Sequence, residues 1–276
     1  MFSLLLSVIK ITAIALLVLG LFLFFFQAKL IYHPRPYHPD YKRLIPERGV
    51  EIDYTTACGK QTAFYVPPRN TDDVTSAPAR LWLFFGGNGS LALFWSDIVK
   101  EAPDPAAAFL LIDYPGYGKC EGAASPGSIE ESSEAALAAL ASWLHCTPQD
   151  LEGDLNIAGH SLGAAVALQF AVRHPIRRAV LAAPFTSMQS MAREVVGPVL
   201  ANVLTHNYNN EKRLAALAAR PSPPEVRILH GDADPIIPVR MSRELATAHK
   251  SMIKLHEIPG ADHVTVLDTL GQHLAP

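Results

Sequence analysis

Hydrophobic residues fill almost every position from Phe2 to Phe26, and Lys10 is the only charged residue among them. A surface helix carries its apolar residues on one face, whereas this segment is apolar all round. The run is also long enough for a helix to cross a bilayer. A cleaved signal peptide is the alternative, but the run ends in three phenylalanines and no Ala-x-Ala-like site follows it. We therefore expect residues 1–26 to form an uncleaved transmembrane anchor.

The segment after the predicted anchor, residues 27–47, is rich in tyrosine and proline. Tyrosines suit a membrane interface and prolines stiffen an exposed chain, so this segment is predicted to be a linker. The positive charges that follow the span favour the cytoplasmic side for the rest of the chain: Lys29, Arg35, Lys42 and Arg43. If Lys10 and the amino terminus form the inside flank instead, the rest of the chain faces outward.

From residue 48 onward, short apolar runs of strand length alternate with segments of helical spacing. This alternation predicts a mostly parallel sheet covered on both faces by helices, preceded by a hairpin, in one domain over residues 48–276. Ser128, with Glu131 three residues later, predicts the start of one helix. The strands are predicted over 51–57, 61–66, 80–85, 109–113, 155–158, 178–182, 226–229 and 253–257. The helices are predicted over 91–101, 128–144, 191–204, 211–219, 238–249 and 264–270, with one more after residue 163.

Composition narrows the functional classes. A chain of 276 residues has room for one large α/β domain besides the anchor, and its net charge of −3 gives no reason to expect a nucleic-acid partner. The three cysteines, Cys58, Cys120 and Cys146, form neither a disulfide framework nor a metal-ligand spacing. We expect no metal and no cofactor.

The segment from Asp154 to Phe170 carries the clearest chemical motif. An apolar strand leads into Gly-His-Ser-Leu-Gly at residues 159–163, and an alanine-rich helix follows. Strand, tight turn and helix are the context in which G-x-S-x-G forms a nucleophile elbow. Ser161 would then stand at the carboxyl end of the sheet, beside a helix amino terminus that stabilises negative charge.

A serine hydroxyl needs a base to accept its proton, and the base is usually a histidine held by a carboxylate. His263 alone among the candidate histidines lies in a loop after the last predicted strand and downstream of an acid, in the chain order Ser, Asp, His. Four other histidines are less suited because they lie within the elbow, at a helix end, before the acid or within a strand: His160, His174, His230 and His256.

Two aspartates follow the strand that ends at Leu229, namely Asp232 and Asp234. We favour Asp234 as the acid because the next residue is proline, which restricts Asp234 to an extended backbone and fixes its side-chain direction. Asp232 and Asp262 are then expected to form turns.

A tetrahedral intermediate needs two backbone donors. One is expected at Leu162, the residue after the nucleophile, and the other in the glycine-rich loop over residues 86–89. We place the second donor at Asn88, with Gly89 as the alternative. A phosphate-binding turn is the other interpretation of this loop, but its glycine spacing matches neither common phosphate motif.

In order along the chain, these motifs resemble those of the α/β-hydrolase-fold serine hydrolases, and more narrowly the single-span membrane-anchored branch that includes YfhR-like hydrolases and protein depalmitoylases. The resemblance supports Asp234 as the fifth residue of an H-G-x-x-D stretch, whereas Gly86 replaces the usual histidine of the oxyanion loop. The segments that carry it are QAKLIYHP (27–34), GGNG (86–89), DYPGYG (113–118), GHSLG (159–163), PFTS (184–187), HGDAD (230–234) and GADH (260–263).

The resemblance implies a membrane-anchored hydrolase that cleaves carboxylic ester or thioester bonds through Ser161, Asp234 and His263, with an acyl-enzyme intermediate. Its substrates would be acyl esters or thioesters, with lipidated peptides or proteins among them. The roughly 40 residues between Pro184 and Glu225 leave no room for a large cap domain. A peptidase-like hydrolase and a catalytically silent tethered interaction domain are the alternatives.

Overall fold

The computed structural model describes residues 1–275 and contains one eight-stranded sheet. The strands are β1 (Val50–Thr56), β2 (Gly59–Val66), β3 (Arg80–Phe85), β4 (Ala107–Ile112), β5 (Leu155–His160), β6 (Arg178–Ala182), β7 (Glu225–Gly231) and β8 (Ile253–Ile258). Their order across the sheet is β1-β2-β4-β3-β5-β6-β7-β8. Strand β2 is antiparallel to both of its neighbours, and all other pairs are parallel.

The central strands are apolar along their whole length because helices cover both faces of the sheet. Every residue of β4 and β5 is buried, and β3 is buried from Leu81 onward. The helices are α1 (Phe2–Ile31), α2 (Ser96–Lys100), α3 (Pro126–Trp143), α4 (Leu162–Ala171), α5 (Met188–Leu200), α6 (Asn210–Ala218) and α7 (Val239–Ala248). Short 3-10 segments lie between these elements, and a longer 3-10 helix, Thr265–Leu274, follows β8 where the sequence predicted the closing helix.

Helix α3 begins earlier than its sequence pattern predicted. Its N-cap is Ser125, whose hydroxyl accepts from the Ser128 amide, while the Ser128 hydroxyl accepts from the Ser125 amide. Pro126 occupies the first helical position, where its fixed φ favours a helix and its missing N–H costs nothing. Ser128 is therefore the reciprocal partner of the cap, and the predicted pairing of Ser128 with Glu131 was wrong.

Helix α1 is the one helix within residues 1–275 that is long and apolar enough to cross a membrane, which makes it a candidate span. It continues to Ile31, so the start of the segment predicted as a linker is helical. Most of α1 is exposed, but Gly20, Leu23 and Gln27 are buried against the rest of the chain. The Gln27 carboxamide oxygen accepts from the backbone amides of Thr205 and His206, at 2.8 and 2.9 Å.

The residues that follow α1 are packed onto the sheet domain. The hydroxyl of Tyr32 lies 3.2 Å from that of Tyr208, and both tyrosines are buried. The Tyr37 hydroxyl donates to the buried carboxylate of Asp113 at 2.7 Å. Pro36 forms a β-bridge with Gly118. The end of α1 therefore has a defined position relative to the sheet.

Candidate active site

Ser161 sits in a strained turn between β5 and α4. Its φ is 56° and its ψ is −118°, a conformation that non-glycine residues rarely adopt, and its amide donates to Ala182 O at 2.9 Å. Strand β5 brings the chain to the carboxyl edge of the sheet, and α4 begins with the next residue, Leu162. The geometry is that of a nucleophile elbow.

The two glycines of the motif allow the strand and the helix to pass closely. A Cβ on Gly159 would lie 2.3 Å from the carbonyl oxygen of Gly163, and a Cβ on Gly163 would lie 2.0 Å from the carbonyl oxygen of Phe85. No carbon atom fits at these distances from backbone atoms. Glycine at both positions is therefore a steric requirement of the elbow.

His263 and Asp234 meet across the ends of neighbouring strands. The Nδ1 atom of His263 lies 2.7 Å from Oδ2 of Asp234, and the Asp234 side chain has no exposed surface. An Nδ1–H donated to this carboxylate leaves Nε2 of His263 free to accept a proton. Within residues 1–275, no hydrogen bond joins the Ser161 hydroxyl to the His263 ring, a contact that is often long before substrate binds.

The environment of Asp234 keeps its carboxylate charged. Burial by itself would raise the pKa of Asp234, but hydrogen bonds from His230, His263 and the amides of Ile237 and Ile236 outweigh it and hold this pKa well below its usual range. Oδ1 accepts from the two amides at 2.8 and 2.9 Å. Asp234 can therefore orient an imidazole and support its positive charge.

The other two aspartates considered for the acid accept hydrogen bonds from backbone amides. Asp232 Oδ1 accepts from the Gly260 amide at 2.7 Å, which ties the end of β7 to the loop before His263. Asp262 Oδ1 accepts from the amides of Val264 and Thr265, both at 2.8 Å. Of the three carboxylates, it is Asp234 that contacts His263.

Two histidines set aside in the sequence contact the loops that carry Asp234 and His263. His160 Nε2 lies 2.7 Å from the His263 carbonyl oxygen, so it donates to the backbone of the predicted base. Burial, helped by the nearby His263, lowers the pKa of His160 to about 4, which keeps its ring neutral. His230 Nε2 lies 2.8 Å from the Ile237 carbonyl oxygen and 3.3 Å from Asp234 Oδ2. The contact of His160 joins two distant parts of the chain, and the contacts of His230 depend on how the loop after β7 folds. No local sequence pattern predicts either contact.

The loop after β3 carries the expected second oxyanion donor. Asn88 is exposed at its tip, and within residues 1–275 its amide has no hydrogen-bond partner. Leu162 is the first residue of α4, where amides have no partner inside the helix. Both amides are therefore available as donors.

Two tyrosines fix the carbonyl groups of this loop from the DYPGYG segment. The Tyr114 hydroxyl donates to Gly86 O at 2.7 Å, and the Tyr117 hydroxyl donates to Asn88 O at 2.5 Å. The His33 amide also donates to Asn88 O at 2.9 Å. The oxyanion loop is thus held partly by the chain that leaves α1.

The site brings together the types of group that nucleophilic catalysis uses. It combines a strained serine, a histidine with one free nitrogen, a buried carboxylate and two available amides. Within the described part of the chain, no group of three or more His, Cys, Asp or Glu side chains could hold a metal ion.

Comparisons with known proteins agree with the fold. Residues 82–208 match the model of the alpha/beta hydrolase family. The uncharacterized protein YfhR of Escherichia coli strain K12 is 26% identical over 233 residues, which cover 83% of this chain and 78% of that protein. An uncharacterized protein of Mycobacterium tuberculosis is 28% identical over 260 residues, which cover 91% of this chain and 85% of that protein.

Among solved structures, the Pyrococcus furiosus esterase Pf2001 superimposes with a TM-score of 0.62 at 16% identity, and the match covers 88% of this chain and 93% of the esterase. At this identity the likeness concerns the fold alone. The sheet order, the elbow after β5 and these matches lead to the same conclusion, namely that the chain has the α/β-hydrolase fold that its sequence predicted.

Proposed function

We propose that the chain is a membrane-anchored serine hydrolase that cleaves carboxylic ester or thioester bonds of acylated substrates. Ser161 is the nucleophile, His263 the base, Asp234 the acid that orients it, and the amides of Leu162 and Asn88 form the oxyanion hole. The observation that carries the proposal is the strained elbow at Ser161 beside the 2.7 Å contact between His263 and Asp234. Strain of this kind persists only where the surrounding structure imposes it, and it is common at active sites.

The reaction would proceed in two halves. His263 Nε2 takes the Ser161 proton as the oxygen attacks the acyl carbon, and the oxyanion is held by the two amides. The intermediate collapses to an acyl-enzyme, and His263 returns the proton to the departing alcohol or thiol. Water, deprotonated by the same histidine, then attacks the acyl carbon. The bond from this carbon to the Ser161 oxygen breaks as His263 returns the proton to that oxygen, and the carboxylic acid leaves. Asp234 remains ionised throughout and stabilises the imidazolium.

Helix α1 supports the membrane part of the proposal, since its composition and length suit a span. An anchor holds the site near lipid, where acylated substrates are concentrated. We also propose that the chain belongs with YfhR-like proteins in a membrane-anchored branch, with lipidated peptides or proteins among the candidate substrates. The basic residues after the span favour a cytoplasmic catalytic domain.

The test is Ser161→Ala, measured with a fluorophosphonate probe and with p-nitrophenyl esters of increasing chain length. We expect labelling to disappear and turnover to fall by several orders of magnitude in a folded protein. Ser222→Ala, at an exposed position, serves as the matched control and should change neither. Wild-type protein that neither reacts with the probe nor hydrolyses any ester, thioester or peptide would instead support a silent interaction domain.

A further inference from the structure

We propose that the segment Met188–Val203, which comprises α5 and the 3-10 turn after it, is embedded in the surface layer of the same bilayer that α1 crosses. We call this segment the cap. The inference rests on the proposed role of α1 as a membrane anchor and goes beyond it, because it assigns a second membrane contact to the segment that follows β6. The partner is the lipid bilayer itself.

The depth of the contact between α1 and the cap is the first argument. A Cβ on Gly20 would lie 3.8 Å from Val203 Cγ1 and 3.9 Å from Leu200 Cδ2, so the end of the cap packs beside Gly20. The apolar run of α1 continues past Gly20 to Phe26. At 1.5 Å per residue, Gly20 lies about 9 Å from Phe26 along the helix axis, towards the amino-terminal end of α1.

The length of the predicted span converts the position of Gly20 in α1 into a depth below the membrane surface. A bilayer core takes about 20 helical residues, so a span that ends at Phe26 begins near Ser7. Lys10 then lies close enough to the opposite surface to extend its ammonium group into it. Leu200 and Val203 consequently reach about 9 Å below the near surface, a depth typical of interfacial elements, which bury about 5–10 Å.

The chemistry of the cap surface is the second argument. No Asp, Glu, Lys or Arg occurs from Val195 to Asn210. Two valines of this run stand out from the protein, with Val195 80% and Val199 67% exposed. Leu200 and Ala201 are buried in the same stretch. The run therefore presents apolar side chains outward at the level where α1 meets the cap, which suits lipid better than water.

The charged residues of α5 precede this run. Arg193 and Glu194 are exposed, and Glu194 pairs with Arg240 at 2.5 Å. The helix is interrupted at Gly197, whose φ is 80°. The cap thus changes from polar to apolar along its length in the direction of α1, as expected for a segment that enters the membrane surface obliquely.

The position of the cap in the chain links this contact to the active site. It follows β6, whose last residue, Ala182, accepts the hydrogen bond from the Ser161 amide. The cap therefore begins within a few residues of the strand that contacts the proposed nucleophile. Because the cap follows the strand that contacts Ser161, we extend the proposal to the substrate, and infer that it is an acyl group resident in the bilayer.

The experiment uses the full chain in phosphatidylcholine vesicles with lipids brominated along their acyl chains. An environment-sensitive fluorophore is attached to single cysteines in a Cys58→Ser, Cys146→Ser background. Cys120 is retained because burial raises the pKa of its thiol to about 12 and slows its labelling. The labelled positions are Val199→Cys in the cap, Leu17→Cys on an exposed part of α1, and Gly153→Cys at the opposite edge of the sheet, where an added side chain meets nothing within 4 Å.

We expect bromolipid quenching at Val199→Cys and at Leu17→Cys but not at Gly153→Cys. Quenching at Leu17→Cys without quenching at Val199→Cys would overturn the cap proposal and leave the anchor intact. Absence of quenching at Leu17→Cys would refute the anchor itself. Protection of Val199→Cys that grows with protein concentration and not with lipid would show that a second copy covers the cap, which also overturns the proposal.

A second variant tests the consequence for the substrate. Val199→Glu places a charge on the exposed face of the cap and touches none of the catalytic residues. The rate of hydrolysis of a long-chain ester presented in vesicles should fall several-fold because KM rises, while the rate on soluble p-nitrophenyl acetate should stay unchanged. If the variant and the wild type hydrolyse the vesicle substrate at the same rate, the cap has no role in substrate entry.

Discussion

At the residue scale, the contact of His263 with Asp234 decides which carboxylate can orient the base. Asp234→Asn keeps the shape of the side chain but removes the charge that fixes the imidazole tautomer. We expect turnover on a soluble ester to fall by about four orders of magnitude. The control is Asp232→Asn, which weakens the hydrogen bond from the Gly260 amide by removing the charge of its acceptor, and which should lower the thermal midpoint slightly while turnover stays close to that of the wild type. A larger activity loss at Asp232 than at Asp234, with equal stability, would reverse the assignment.

His160 gives a prediction about pH at the same scale. Its pKa is lowered from 6.5 to about 4 in the folded chain, chiefly by burial. Between these values the unfolded chain binds a proton that the folded chain does not, so stability is lost as pH falls below 6.5. Relative to His160→Gln, the wild-type free energy of unfolding should decline by about 2 kcal/mol from pH 8 to pH 5. Denaturant titrations of both proteins at several pH values measure it, and a constant difference would show that His160 is not buried in its neutral form.

At the scale of elements, the oxyanion loop is positioned by the Tyr117 hydroxyl and the His33 amide, which both donate to Asn88 O. Tyr117→Phe removes one donor and should move the Asn88 amide slightly. We expect kcat to fall about tenfold with little change in KM, a smaller loss than that from deleting an oxyanion donor outright. Tyr54→Phe is the matched control, since it removes a tyrosine hydroxyl that is bonded to Ser132 in α3 and not to the oxyanion loop. Similar kcat values for the two variants would show that the hydrogen bond from Tyr117 does not position the oxyanion loop.

At the scale of the whole molecule, the contacts between the end of α1 and the sheet domain predict where the chain can be shortened. Deleting residues 1–26 leaves Gln27, Tyr32 and His33 in place, so the protein should remain folded and hydrolyse short soluble esters. Deleting residues 1–36 also removes the Tyr32–Tyr208 pair and the His33 amide. The longer deletion should lower both the thermal midpoint and kcat. Equal thermal midpoints and equal kcat values for the two truncated proteins would mean that these contacts contribute neither to stability nor to turnover.

The sequence by itself determined the fold class and the order of the chemical groups along the chain. Strand-length apolar runs and helical spacing are local properties, and the G-x-S-x-G pattern between a strand and a helix is read within one segment of the chain. Gly159 is required by a backbone atom four residues away, whereas Gly163 is required by the backbone of Phe85 in a neighbouring strand. The apolar composition of α1 is equally local. The start of α3 was misjudged because Ser125 and Ser128 both suit a cap, and only the first is followed by proline.

The tertiary structure alone decided which side chains meet. Asp232 and Asp234 lie in one loop, and the contact of Asp234 with His263 depends on how the loops after β7 and β8 face each other. The supporting roles of His160 and His230, the hold of Tyr117 and His33 on the oxyanion loop, and the packing of Gly20 against the cap all join residues distant in sequence or separated by a folded turn. A local sequence pattern does not predict such pairs, because the packing of helices and strands around the shared sheet determines which residues lie close together.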